Sequence, residues 1–506
     1  MENRIRILAT SDVHGYIYPY SYANNEEENI GYARISTLVE ALRDENTILI
    51  DNGDIIEGSP LMFYHMHNRK DEVSPVAKVL NAMEYDYINI GNHDFNYGEK
   101  VLLKHLNELN APCITNNILY HNKTIGATYA ICEIANKKVA IFGLTTQYIP
   151  NWEKKENIAH SKFLDACLTA KKTVEHLKSL ENPDYIICAY HGGFERDLVN
   201  GYPTEDLTRE NEGYEILKTV SGIDVLITGH QHRSLAGNLF GKAYTQTKDR
   251  GAELACIDIY TDTGVIEPRV LKADTEADKK ILTLVQEEEN QCQKWLDTPL
   301  GTTKVDLKVT DEDEARLYKS QVITFLNMVA KEATGADLCA NALFDRATGF
   351  SKNITMRDLV STYVFPNTLV IKKVTGKVLR EYLEKCAEYF TISNGVIAVS
   401  PRYLAPKPMK YNYDMVDGVE YTIKVSNDVG HRITSLTKDG KEVSDTDEFT
   451  LCVNNYRATG GGNFNMLKDA PVVKEIPSSM VELLADYIME HKVVDFVPVH
   501  NIKVEK

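Results

Sequence analysis

Five short aliphatic and β-branched runs in the first half of the chain each stop at a residue able to bind a metal ion. Ile5–Thr10 leads to Asp12 and His14, Thr47–Ile50 to Asp54, Tyr87–Ile90 to Asn92, Tyr185–Tyr190 to His191, and Val225–Thr228 to His230 and His232. Helical stripes separate the runs. Ile35, Leu38, Val39 and Leu42 share one face, Ser74-Pro75 reads as the N-cap and first residue of a helix through Met83, and another helix is expected near Ser161 to Leu180. This alternation predicts a layered α/β architecture with a parallel or mixed sheet. Ligands in such sheets gather beyond the carboxyl ends of the strands, so motifs of the same polarity predict one shared site.

Taken singly, each motif has an ordinary explanation. Asp12-Val13-His14-Gly15 can be a polar turn, Asn92 among its glycines a solvated loop, and His191 or His230 a hydrogen-bonded core histidine. Together they ask for a site, because buried polar side chains are costly unless something pairs with them. Asp, His and Asn donors without thiolate suit divalent Mn, Zn, Co or Fe. Two ions are expected, one held by Asp12, His14, Asp54 and His232, the other by Asp54, Asn92, His191 and His230, with Asp54 bridging. Ions about 3.5–4 Å apart can hold the oxygens of a phosphate and acidify a water for in-line attack. His93, next to a ligand, is the candidate catalytic acid. His65, His67, His105, His121, His160 and His176 lack such context and are expected in surface or core roles.

The second half reads differently. A charged helical stretch from Asp274 to Trp295 is followed by a polar segment, so the chain is expected to divide into residues 1–298, a linker at 299–318, and a second domain at 319–506. That domain mixes helices (Gln321 to Ala333, Gly376 to Tyr389) with strands (Tyr421 to Val425, Phe449 to Val453). The formal net charge of -17 excludes binding to DNA or RNA as a polymer, which depends on Lys and Arg displacing counterions. A small phosphorylated ligand stays compatible if metal supplies the positive charge. The first residues run straight into a strand, so no signal peptide is expected, nor any membrane span. Nine scattered cysteines without a C-x-x-C pair read as reduced thiols of a cytoplasmic protein, with no obligate protein partner.

The ordered set D-x-H-G, Gly53-Asp54, Gly91-Asn92-His93-Asp94, the isolated His191 and Gly229-His230-Gln231-His232 resembles the calcineurin-like metallophosphoesterases. The whole chain resembles the two-domain 5'-nucleotidase family, in which that α/β sandwich precedes an α+β substrate-binding domain. Leu49 to Pro60, Phe95-Asn96-Tyr97-Gly98, Tyr411 to Gly418 and Asn454 to Gly461 point within it to the bifunctional 2',3'-cyclic-nucleotide 2'-phosphodiesterase/3'-nucleotidases. The resemblance implies a nucleotide substrate, hydrolysed at the metals after a rotation of the second domain. The alternatives are a 5'-nucleotidase or UDP-sugar hydrolase, and a non-catalytic, metal-stabilised nucleotide-binding protein. It also implies that Tyr456 and Tyr413 stack on the base, with Tyr411 competing for the second place, and that Asn341 and Arg346 lie near the substrate. The secreted branch carries Asp where this chain has Asn96, so Asp94 is expected to orient His93 instead.

Overall fold

A computed structural model describes residues 4–365 and 367–506, which divide into two compact units at Cys292 and Gln293. The first unit contains a five-stranded sheet and a six-stranded sheet. In the first, Arg4–Thr10, Thr47–Asp51 and Tyr87–Ile88 run parallel, and Glu253–Tyr260 and Val265–Lys272 extend it antiparallel. In the second, Lys137–Thr145, Tyr185–His191, Val225–Thr228 and Lys242–Gln246 are parallel, with antiparallel strands Ala130–Ile134 and Leu235–Leu239 at its edges.

Alternation along each strand explains why the sheets pack face to face. Ile5, Ile7 and Ala9 from one sheet meet Val139, Ile141, Ile187, Ala189, Val225 and Ile227 from the other in one buried cluster. The intervening residues Ala140, Phe142, Leu144, Ile186 and Cys188 pack on Ala170, Val174 and Leu177 of the helix Ala166–Leu180. Both faces of the central strands are therefore covered, which is why they read as near-continuous apolar runs. Register then sets the site. Thr10 pairs with Asp51 and Asp51 with Ile88, while His191 pairs with Thr145 and Tyr190 with Thr228, so the polar loops leave each sheet at one level.

The helix expected from Ser161 starts later. Ser161–Phe163 is a short strand, and Asp165 caps the helix by accepting the Leu168 N–H. The segment 299–318, expected as a linker, is regular structure of the second unit. Pro299–Thr303 pairs with Asn353–Thr355 and Val493–Val494, and Asp311 caps the helix Glu312–Leu317. That unit is α+β. A five-stranded mixed sheet places Leu338–Ala342 between Asp414–Asp417 and Glu448–Asn454, and the helix Gln321–Thr334 packs against it. Among the described residues, no helix is long and apolar enough to cross a membrane.

Candidate metal centre and active site

The loops that leave the parallel strands have an unusual backbone. Asp12, His14, Asp54, His230 and His232 all take positive φ, between 54° and 68°. Non-glycine residues seldom adopt this left-handed conformation, although Asp, Asn and His do so more readily than most, and it clusters at functional sites. Two glycines allow the loops to approach. A Cβ on Gly91 would lie 2.1 Å from Asp54 Oδ1, and one on Gly229 would lie 2.6 Å from Asp12 Oδ2.

All seven expected ligands converge. His232 Nε2 lies 3.4 Å from Asp12 Oδ1 and 3.3 Å from His14 Nε2, and His14 Nε2 lies 4.0 Å from Asp54 Oδ2. On the other side, His191 Nε2 lies 3.2 Å from Asp54 Oδ2 and 3.2 Å from Asn92 Oδ1, and His230 Nδ1 lies 2.8 Å from that same Asn92 oxygen. Donor atoms of Asp12, His14 and His232, and of Asp12, Asp54 and His191, fall within 4.8 Å of one another.

The hydrogen bonds behind these side chains decide which atoms face inward. Nδ1 of His14 donates to the Glu57 carbonyl at 2.9 Å, and Nδ1 of His191 to the Asn52 carbonyl at 2.7 Å, because a carbonyl oxygen only accepts. In the neutral ring each Nε2 then presents a lone pair to the centre, as metal-binding imidazoles do. His230 is oriented the other way round. Its Nε2 faces Glu210 Oε1 at 2.9 Å and its ring lies against Trp152, with centroids 5.4 Å apart. Asp54 Oδ1 accepts the His93 N–H at 2.7 Å, whereas its buried Oδ2 has no hydrogen-bond partner.

Lone pairs facing one another around an unpartnered carboxylate oxygen fit a divalent-ion centre with Asp54 between the two halves. Without an ion, a proton on His191 balances the carboxylates instead. Burial alone would raise the carboxyls of Asp12 and Asp54, but His191 overrides it and holds both below the ordinary range. Burial also disfavours a charged His191, yet Asp54 and Asp12 push it up to about 10, and burial brings His14 down to about 4.

His93 is oriented by residue 96, not 94. Asn96 Nδ2 donates to the Glu153 carboxylate at 2.7 Å, which turns Asn96 Oδ1 toward His93 Nδ1 at 2.8 Å. Nδ1 therefore carries the proton, and Nε2 is left for chemistry. The expectation that Asp94 orients His93 is corrected. Its carboxylate accepts the backbone N–H groups of Asp54, Ile55, Ile56 and Gly91 at 2.8–3.1 Å, so it shapes the loop that carries Asp54. Glu153, Glu210 and Trp152 escaped the sequence reading, since they stand outside the motifs and enter by loop packing, while Glu57 lies inside the Leu49 to Pro60 stretch but was given no role.

In the second unit one member of the expected base-stacking pair is enclosed by its neighbours. Tyr413 is fully buried, its ring stacked on Tyr389 at 4.9 Å and edge-on to Phe390 at 5.0 Å, so no face is open to a ligand. Asn341 is buried too, donating to Asn327 Oδ1 at 2.9 Å. Both are corrected to structural roles. Arg346 is exposed with φ 65°, and its N–H binds Glu312 Oε1.

Tyr411 and Tyr456 are both half-buried, and Arg457 ties their loops together. Its guanidinium donates to the Tyr411 carbonyl at 3.3 Å, the Gly461 carbonyl at 2.6 Å and the Asp414 carboxylate at 2.7 and 3.0 Å, and lies 5.7 Å from the Tyr456 ring centre. Tyr411, the competitor in the sequence, is only half-buried.

Residues 5–234 match the calcineurin-like phosphoesterase family model, and residues 299–469 match the 5'-nucleotidase C-terminal domain. A solved Staphylococcus aureus structure, a candidate 5'-nucleotidase in complex with α-ketoglutarate, superposes with a TM-score of 0.94 at 35% identity, covering 99% of this chain and 100% of that one. The 2',3'-cyclic-nucleotide 2'-phosphodiesterase/3'-nucleotidase of Haemophilus influenzae is 25% identical over 96% of this chain and 84% of its own length. The trifunctional nucleotide phosphoesterase protein YfkN of Bacillus subtilis is 26% identical over 97% of this chain, which spans 38% of that longer protein. With this combination of domains and a near full-length relative at 35% identity, the chain belongs to the two-domain 5'-nucleotidase family of calcineurin-like metallophosphoesterases.

Proposed function

We propose that this protein hydrolyses small nucleotide phosphoesters, acting as a 2',3'-cyclic-nucleotide 2'-phosphodiesterase and 3'-nucleotidase. The observation that carries this reading is Asn96, not a carboxylate, hydrogen-bonded to His93 Nδ1 within the Asn92-His93-Asp94-Phe95-Asn96-Tyr97-Gly98 stretch that suggested this branch. The similarity to the Haemophilus influenzae enzyme supports it. Asp12, His14, Asp54 and His232 would hold one divalent ion, and Asp54, Asn92, His191 and His230 the other. When bound, such ions hold the phosphate and acidify a water.

The chain's own residues do the rest. Asn52 and Glu57 carbonyls fix the tautomers of His191 and His14, and Asp94 holds the Asp54 loop. His93, with Nδ1–H engaged by Asn96, offers Nε2 to protonate the leaving ribose oxygen. Tyr456 and Tyr411 are assigned to the nucleobase, whose face either ring can accept regardless of its identity. Nine free thiols agree with a cytoplasmic setting, which cell fractionation would check.

The second reading is a 5'-nucleotidase, favoured by the 35% identity to the Staphylococcus aureus protein. The test is a metal-stripped protein reconstituted with Mn, Zn, Co or Mg and offered 2',3'-cyclic AMP, 3'-AMP, 5'-AMP and UDP-glucose. Preference for the first two supports the proposal; preference for 5'-AMP or UDP-glucose replaces it with the second reading.

A further inference from the structure

Arg457 is 2% exposed, and each of its five N–H groups has an acceptor. Nε and one Nη2 hydrogen go to Asp414 at 2.7 and 3.0 Å, a bidentate pair that compensates the burial of both charges. The other three bonds are spent on two loops. Nη2 also donates to the Tyr411 carbonyl at 3.3 Å, and Nη1 to Asn412 Oδ1 at 3.2 Å and the Gly461 carbonyl at 2.6 Å.

The sheet explains why a bridge is needed there. Asp414–Asp417 and Glu448–Asn454 flank Leu338–Ala342, the first antiparallel and the second parallel to it. The loop entering the first of these strands carries Tyr411 and the loop leaving the second carries Tyr456, so both stand at the same end of the sheet. Two strand spacings, about 9–10 Å, separate their backbones. A long side chain spans that gap, and the Phe464 ring packs 3.9 Å from the guanidinium carbon. Glycines make room for it. A Cβ on Gly461 would lie 2.6 Å from Tyr456 Cζ, and one on Gly462 would lie 2.5 Å from Arg457 Nη1.

Resting on the reading above that Tyr411 and Tyr456 take the nucleobase, we propose that Arg457 is the positioning residue of that clamp, fixing the distance between the two loops that carry the rings. Asp414 anchors the guanidinium from behind, and the three loop bonds set where each tyrosine stands. The planar fork is essential to this role, because an ammonium group has only three donors and cannot reach both loops and the carboxylate together.

The test uses the full-length protein reconstituted with Mn and compares Arg457→Lys, Tyr456→Ala, Tyr411→Ala and Arg457→Lys/Tyr456→Ala. A further variant, Arg457→Met/Asp414→Leu/Tyr382→Phe, removes the ion pair together with the hydroxyl bonded to it, an exchange for apolar groups that buried pairs often tolerate without loss of stability. The readings are KM and kcat for the preferred nucleotide, inhibition by inorganic phosphate, which has no base, bound metal and the thermal midpoint. We expect Arg457→Lys and the apolar variant to raise KM by about 3- to 30-fold, part of what one stacked base is worth, with kcat and phosphate inhibition within about threefold of the parent and metal unchanged. In the Tyr456→Ala background, Arg457→Lys adds nothing further.

An unchanged KM, an equal loss of phosphate inhibition, or full additivity with Tyr456→Ala would overturn the inference. Failure of both Arg457→Lys and the apolar variant to fold would overturn it too and make Arg457 a prop of the core. Should neither Tyr456→Ala nor Tyr411→Ala raise KM, the underlying reading of the clamp fails; should they raise it and the Arg457 variants not, only this inference does.

Discussion

His14 Nε2 and His232 Nε2 face each other at 3.3 Å, although Nδ1 of His14 is already committed to the Glu57 carbonyl. Two imidazole nitrogens brought so close repel unless a proton or a cation lies between them. Metal removal is therefore expected to destabilise the first unit. Because bound ion stabilises by mass action, a hundredfold excess over Kd contributes about 2.7 kcal/mol per site. Chelation should lower the thermal midpoint, and titrating Mn back should restore it; an unchanged midpoint would argue against the centre.

Asp54 has one oxygen tied to the His93 N–H and the other turned to both halves of the site. Asp54→Asn keeps the first contact and removes the anionic oxygen. Bound metal should fall and kcat should drop by about 10³-fold or more, several kcal/mol of transition-state stabilisation, while circular dichroism stays native. Full metal content in this variant would refute the bridging role.

His93→Asn should separate chemistry from metal binding. A general acid contributes about 10²- to 10⁴-fold, so kcat for a nucleotide falls within that range while metal analysis shows both sites filled. Loss of metal would reassign His93 as a ligand.

Asp51 is buried against Thr10, Tyr32 and the Gly53 N–H, and burial raises its carboxyl from 3.8 to about 7. Its folded-state pKa lies above the unfolded one, so its contribution is intact below about pH 4 and is lost as pH rises through about 7. Asp51→Asn mimics the protonated form and should lack this dependence. The stability difference between parent and variant is expected to move against the parent across that window by at most about 4 kcal/mol, read from urea midpoints at several pH values. A difference that is flat with pH would remove the cause assigned here.

Tyrosines 456 and 413 make a paired prediction. Tyr456→Ala should raise KM by about 5- to 100-fold, the equivalent of one stacked base, with stability preserved. Tyr413→Ala should instead cost about 3–5 kcal/mol of stability, the usual loss for a buried aromatic, with KM unchanged for the folded fraction. The opposite pattern would return Tyr413 to the substrate.

The convergence of the candidate metal donors was legible because each follows a strand, and the parallel register of Thr10, Asp51 and Ile88 carries sequence order directly into spatial order. The partners of His93 were not. Asn96 sits one turn on, but Glu57 and Glu153 arrive on separate loops, and nothing local encodes their approach. Tyr413 was misplaced for a similar reason: the rings that bury it, Tyr389 and Phe390, stand far back in the chain. The polar stretch at 299–318 looked like a linker because its strand is short and its helix mostly charged, while the capping residue Asp311 was the overlooked clue.

The left-handed backbone at Asp12, His14, Asp54, His230 and His232 has a consequence for how this protein could lose its activity. The residue types that tolerate that conformation best, Asn and Asp with His close behind and Gly freest of all, overlap with the types that bind metal. Replacing these ligands by Asn or Gly would leave every loop able to keep its course. Inactivation by drift at these positions would thus be silent in the fold, and a descendant stripped of its chemistry would keep the same outline as the working enzyme.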